Sequence, residues 1–141
     1  MGARTSGRQA ALQMLFWIDG AADADADNVV RAYWRESDAD PEGRAYADAL
    51  VRGAVTCFPR LDGLIREAST NWRLERMARV DRNLLRMAAF ELLEQRSVPR
   101  AVILDEAVEL AKLFGSEDSG AFVNGVLDRI AEVIGRVDLD R

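Results

Sequence analysis

Residues 82–130 read "RNLLRMAAFELLEQRSVPRAVILDEAVELAKLFGSEDSGAFVNGVLDRI", three apolar runs separated by "SVP" (97–99) and "GSEDSG" (115–120). In the first run Leu84, Leu85, Ala88 and Leu92 recur at helical spacing. Ile103, Ala107, Leu110, Ala111 and Phe114 repeat the pattern, and Val123, Val126, Leu127, Ile130 and Ile134 repeat it again. "SVP" ends the first helix, because the residue before Pro99 is pushed out of the helical region. Gly115 is the expected stop of the second helix and Ser116 the N-cap of the third. Glu117 and Asp118 then sit at the positive end of the new helix dipole. Helices this short are not stable alone, so the three must bury their stripes against each other.

The same reading extends toward the N-terminus. Asp81 is a natural N-cap for the 82–96 helix. Before it, Asn71-Trp72 leads into a short turn, "RLERMA" (73–78). Pro59 opens "RLDGLIREAST" (60–70), with Leu61, Leu64, Ile65 and Ala68 inward. Pro41 suits the first turn of a helix running to about Cys57, which aligns Tyr46, Leu50, Ala54 and Cys57. Asp27 or Asn28 caps "VVRAYWRES" (29–37), and a first helix from about Ser6 to Asp19 lines up Ala11, Met14, Leu15 and Ile18. The expectation is an all-α protein of seven or so helices, folded as one compact domain.

Composition narrows the function. The 141 residues contain no histidine and a single cysteine, Cys57. Ser-His-Asp and Cys-His catalysis, zinc fingers and an internal disulfide are therefore excluded. Phosphate-loop and dinucleotide fingerprints are absent. Paired acids such as Asp105-Glu106 and Glu117-Asp118 fit helix first turns better than a catalytic centre. A non-enzyme that needs no cofactor or metal is expected. No run approaches the roughly 18 apolar residues of a membrane span, and "MGARTSGRQAALQML" lacks a signal-peptide core. The expected location is the cytoplasm.

The net charge is −5, yet it is unevenly spread. Residues 1–18 carry two arginines and no acid, and residues 49–100 carry ten arginines against six acids. Two basic islands thus lie in an acidic chain, a distribution that permits contact with a polyanion. Of the 19 basic residues 18 are Arg, so a compositional bias makes any one cluster less informative.

Three side chains misfit their stripes. At about 100° per residue, Phe122 falls on the flank of the last helix, beside Glu117, Asp118 and a flexible Ser119-Gly120. It is either tucked against the preceding helix or an exposed stacking platform. Phe16 points away from the Ala11/Leu15/Ile18 face, though Leu12 could extend that face toward it. Arg86 lies opposite Leu85 and Ala88, where a solvated helix face is the plain reading.

The blocks "VDRNLLRMAAFEL", "VP", "DEAVELAKLFG" and "FVNGVLD" occur in the order and spacing of a known family. With weaker matches at "RQAALQMLFW" and "YADALVRGAV", the chain resembles the bacterial transcription antitermination factors of the NusB family. That resemblance implies two small helical bundles packed across each other, here about 1–77 and 78–141. It implies binding to the boxA element of ribosomal RNA leader transcripts together with NusE, which doubles as a ribosomal protein. Together they join a complex that keeps RNA polymerase transcribing past terminators. Carried over, the family's basic arm falls on Arg4 and Arg8, and its first-helix aromatic on Phe16. The RNA-facing arginine falls on Arg86, and the acid and aromatic of the last junction on Asp118 and Phe122. Glu75 and Asp81 are assigned to the NusE face.

Two departures stand out: the arm "GARTSGR" has only two arginines, and the basic position before the last-helix aromatic is Ala121. With so few phosphate contacts, RNA binding should be weak alone and gain steeply from the partner. Two other readings compete. One is the helical domain of a ribosomal RNA cytosine methyltransferase, which needs a cofactor-binding α/β domain not found before Arg141. The other is a protein-interaction or homodimeric module with weak or no RNA binding.

Overall fold

The computed structural model describes residues 2–21, 23–70 and 72–136. Among them are seven α-helices, two short 3-10 turns and no strand, as the periodicity predicts. The helices are α1 (Ala3–Asp19), α2 (Ala26–Glu36), α3 (Arg44–Thr56), α4 (Phe58–Ala68), α5 (Arg79–Glu94), α6 (Arg100–Phe114) and α7 (Ser119–Val133). No helix among the described residues is long and apolar enough to cross a membrane. The chain divides into two compact units, Met1–Thr56 and Cys57–Arg141. The division falls well ahead of the expected boundary near residue 77, because α4 packs on α5 and α7.

In the first unit α1 lies against α3, with Ala11, Met14, Leu15, Leu50, Val51 and Ala54 completely buried. Two glycines permit the close approach of α1 to the turn at Pro41–Gly43. A Cβ on Gly7 would lie 2.8 Å from the Gly43 carbonyl oxygen, and one on Gly43 would lie 2.7 Å from that of Ala3. Asp40 caps this turn by accepting the Glu42 N–H at 3.0 Å, which leaves Pro41 in the first turn as expected. The α2 helix starts at Ala26, just before the predicted cap residues, and anchors its Tyr33 hydroxyl on Gln13 at 2.7 Å.

In the second unit α5 is the axis. From Asn83 to Leu93 every residue is buried, since α4, α6 and α7 all pack against it. The expected single stripe of Leu84, Leu85, Ala88 and Leu92 is therefore joined by Met87, Ala89, Phe90 and Leu93. A helix surrounded on all sides has no solvated face, and its polar residues must find partners inside. Asn83 does so by donating to the Arg79 carbonyl at 2.8 Å. Two other predictions differ. Ala78, not Asp81, is the N-cap of α5, so Asp81 sits inside the first turn. Phe114, expected in the core, is 41% exposed at the last position of α6.

Candidate nucleic-acid interface

The α6–α7 junction is built around Ser119. Its Oγ accepts the Ser116 N–H at 2.9 Å, while its own N–H donates to the Ser116 carbonyl at 3.1 Å. Ser119 and Gly120 are buried in the first turn of α7 rather than forming a flexible loop. Gly115 does end α6, but at φ −97°, outside the left-handed region. Its missing side chain matters for space: a Cβ there would run into Ser119 Oγ and lie 2.7 Å from the Ala111 carbonyl oxygen. Asp118, not Ser116, is the N-cap residue of α7. Its side chain makes no capping hydrogen bond, so the exposed carboxylate is not spent on closing the helix.

Phe122 follows one turn later and is half-buried. Its ring meets Trp72, from the α4–α5 connection, edge to face at 6.2 Å with the planes at 73°. The ring it meets is thus an indole that is itself 57% exposed. On one side of this pair lies a cleft of about 390 Å³ lined by Trp72, Arg76, Met77, Asp81, Asp118 and Phe122. Asp81 is 9% exposed there, and its Oδ1 has no hydrogen-bond partner among the described residues. The structure therefore brings together Asp118, Phe122 and Asp81, which the sequence placed on two different surfaces.

Glu75 lies nearby in the turn Leu74–Arg76 and pairs with Arg66 at 3.1 Å. Its own backbone N–H, and then the Arg66 guanidinium, hold its carboxyl below the usual carboxylate range. Trp72 was missed by the sequence reading. The available signal was a tryptophan in a polar connection followed at once by Arg73 and Arg76.

Two arginines are placed differently from expectation. Arg86 is 8% exposed and forms a fork with Asp62 of α4, Nε to Oδ1 at 2.7 Å and Nη2 to Oδ2 at 3.0 Å. Its guanidinium also lies 4.6 Å from the Phe58 ring centroid. A planar fork on a carboxylate is a strong, directional pairing, so Arg86 ties α4 to α5 and does not lie on a solvated face. Arg8 is 2% exposed, with its guanidinium 5.5 Å from the Tyr46 ring centroid. Arg4, one turn earlier and exposed, reaches the same ring at 5.7 Å. Of the two arm residues only Arg4 presents charge at the surface. Phe16 is 36% exposed beside Trp17 at 44%, while Leu12 is buried and does extend the α1 apolar face.

The described residues define an all-helical fold with an exposed aromatic pair at Trp72 and Phe122, and comparison with known proteins places it. The model of the NusB family matches residues 5–132, and the chain belongs to that family. It is 66% identical over 141 residues to the transcription antitermination protein NusB of Sorangium cellulosum (strain So ce56), covering 100% of both chains. The structure of T. maritima NusB matches with a TM-score of 0.81 at 37% identity, over 92% of this chain and 90% of that one. A crystal structure of antitermination factors NusB and NusE in complex with dsRNA matches with a TM-score of 0.81 at 26% identity, over 93% and 97%.

Proposed function

We propose that this protein is a cytoplasmic, non-catalytic transcription antitermination factor that binds boxA RNA of ribosomal RNA transcripts jointly with NusE. The observation that carries this reading is the end-to-end 66% identity to a transcription antitermination protein NusB. It is supported by the exposed, ring-bearing edge that Phe122 and Trp72 make beside the uncommitted Asp118 carboxylate. Unpaired bases stack on such rings without needing a particular sequence. Phe16 and Phe122 are assigned to base contacts and Arg4 to a phosphate, while Asp118 borders the RNA path and its charge opposes the passing backbone. Arg8 and Arg86 act from inside, holding the elements that carry those residues. Glu75 and Asp81 are assigned to NusE.

A filter-binding titration with boxA RNA, with and without NusE, tests the proposal. The expected result is weak binding alone and much tighter binding with NusE, because linked contacts add effective concentration. Equal, weak binding of boxA and of a scrambled RNA in the presence of NusE would overturn it.

A further inference from the structure

Trp72 has two unlike sides. Toward α5 lies the cleft that contains both Asp81 and Asp118. Toward α4 and α7 lies a second groove of about 270 Å³, lined by Ala68, Thr70, Gly125, Val126 and Arg129 together with both rings. Among the described residues no acid lines this second groove, and Arg129 is the one charged side chain on it. The Arg129 guanidinium is aimed across it by donating Nη1 to the Ala68 carbonyl at 3.1 Å, which leaves further N–H donors on the same fork. The first side sets Arg76 against two acids and the second offers Arg129 alone, so the second suits a polyanion better.

We infer that this groove is a second base-binding subsite, in which a nucleobase of single-stranded RNA stacks on Trp72 while Arg129 takes the adjoining phosphate. The inference rests on the RNA-binding reading above and sets the direction of the strand. It leaves Phe122 across Trp72 toward α4, away from Asp81. Gly125 forms part of the wall because it has no side chain; a Cβ there meets nothing within 4 Å. The groove is therefore open space that a side chain could fill without disturbing the protein.

Gly125→Leu supplies the test, since leucine favours a helix over glycine and a Cβ at this groove-lining position meets nothing within 4 Å. It should weaken binding of a boxA oligoribonucleotide by about 5- to 100-fold, the loss expected for one stacked base, with an unchanged or raised melting temperature. Arg129→Gln should lower the slope of log K against log salt by about one unit. In a Trp17→Phe, Trp34→Phe protein, Trp72 is the remaining tryptophan. Its emission should be quenched by the oligoribonucleotide, and Gly125→Leu should abolish the quenching. Phe122→Ala serves as the reference for the functional reading. If it weakens RNA binding while Gly125→Leu does not and Trp72 emission is unmoved, the subsite is wrong and the function stands. If Gly125→Leu lowers affinity for NusE alone and leaves RNA binding intact, the groove docks a protein and the inference falls. If wild type with NusE ignores boxA, both fall together.

Discussion

Arg86 and Asp62 form a two-pronged ion pair, at 2.7 and 3.0 Å, between α5 and α4. The arginine also gives Nη1 to Asn83 Oδ1 at 3.2 Å and covers the Phe58 ring. With side chains only 10% and 15% exposed, each charge depends on the other for solvation. Removing one partner should cost on the order of 3 kcal/mol, because the other charge stays largely buried without its opposite charge. Arg86→Ala and Asp62→Ala are therefore expected to lower the urea midpoint similarly. The double variant should cost less than the two singles summed. An Arg86→Ala protein with an unchanged midpoint and lost RNA binding would instead place this guanidinium on the RNA.

The arm arginines should separate. Arg4→Gln is expected to leave folding intact and flatten the salt dependence of RNA binding by about one unit. Arg8→Gln is expected to destabilise the fold by about 2 kcal/mol, the scale of a desolvated cation on an aromatic face. Paired denaturation curves and salt titrations check both. A stable Arg8→Gln protein would show that its burial contributes little.

Phe16 and Phe122 are partly exposed, so truncation should spare the core. Each change to Ala should weaken boxA binding by about 1–3 kcal/mol, and stability should fall by less than the roughly 3–5 kcal/mol of a core aromatic. Thermal melts alongside RNA titrations decide the matter. A large drop in melting temperature with normal binding by the folded fraction would make these rings structural.

Asp118 lies at the mouth of the cleft beside Phe122 and caps nothing with its side chain. Its charge favours the α7 N-terminus by roughly 0.3–1 kcal/mol and repels a passing RNA backbone. Asp118→Asn should lose that little stability and bind RNA more tightly, with the advantage shrinking as salt rises. Weaker binding at both low and high salt would falsify the repulsion and make the carboxylate an acceptor of base-edge hydrogen bonds.

Gly115→Ala tests the junction itself. The new methyl would press on Ser119 Oγ and lie 2.7 Å from the Ala111 carbonyl oxygen, so something must shift. Overpacking of this kind costs about 1–3 kcal/mol. Gly115→Ala,Ser119→Gly should recover only part of the loss, because the Ala111 carbonyl remains in the way. Full recovery in a thermal melt would show that the Ser119 side chain alone sets the limit.

Helical periodicity, proline breaks and acid-rich junctions are local properties, and the chain declared them without help from its fold. The helices of both units, the break after Phe114 and the off-stripe positions of Phe16 and Phe122 follow from spacing alone. What spacing leaves open is which surface each off-stripe residue meets. Arg86 looked solvated because the carboxylate that it forks onto comes from a position 24 residues earlier. Trp72 looked like a loop residue, and Phe122 could lie on α6 or stand exposed, until α4 and α7 came together and set the two rings edge to face. The all-round burial of α5 has the same origin, because three other helices had to close on it before its polar flank lost its water. The sign of a residue's periodicity is written in its neighbours along the chain. Its exposure, and hence whether an arginine solvates, anchors or binds, depends on charges and rings that only folding brings within reach.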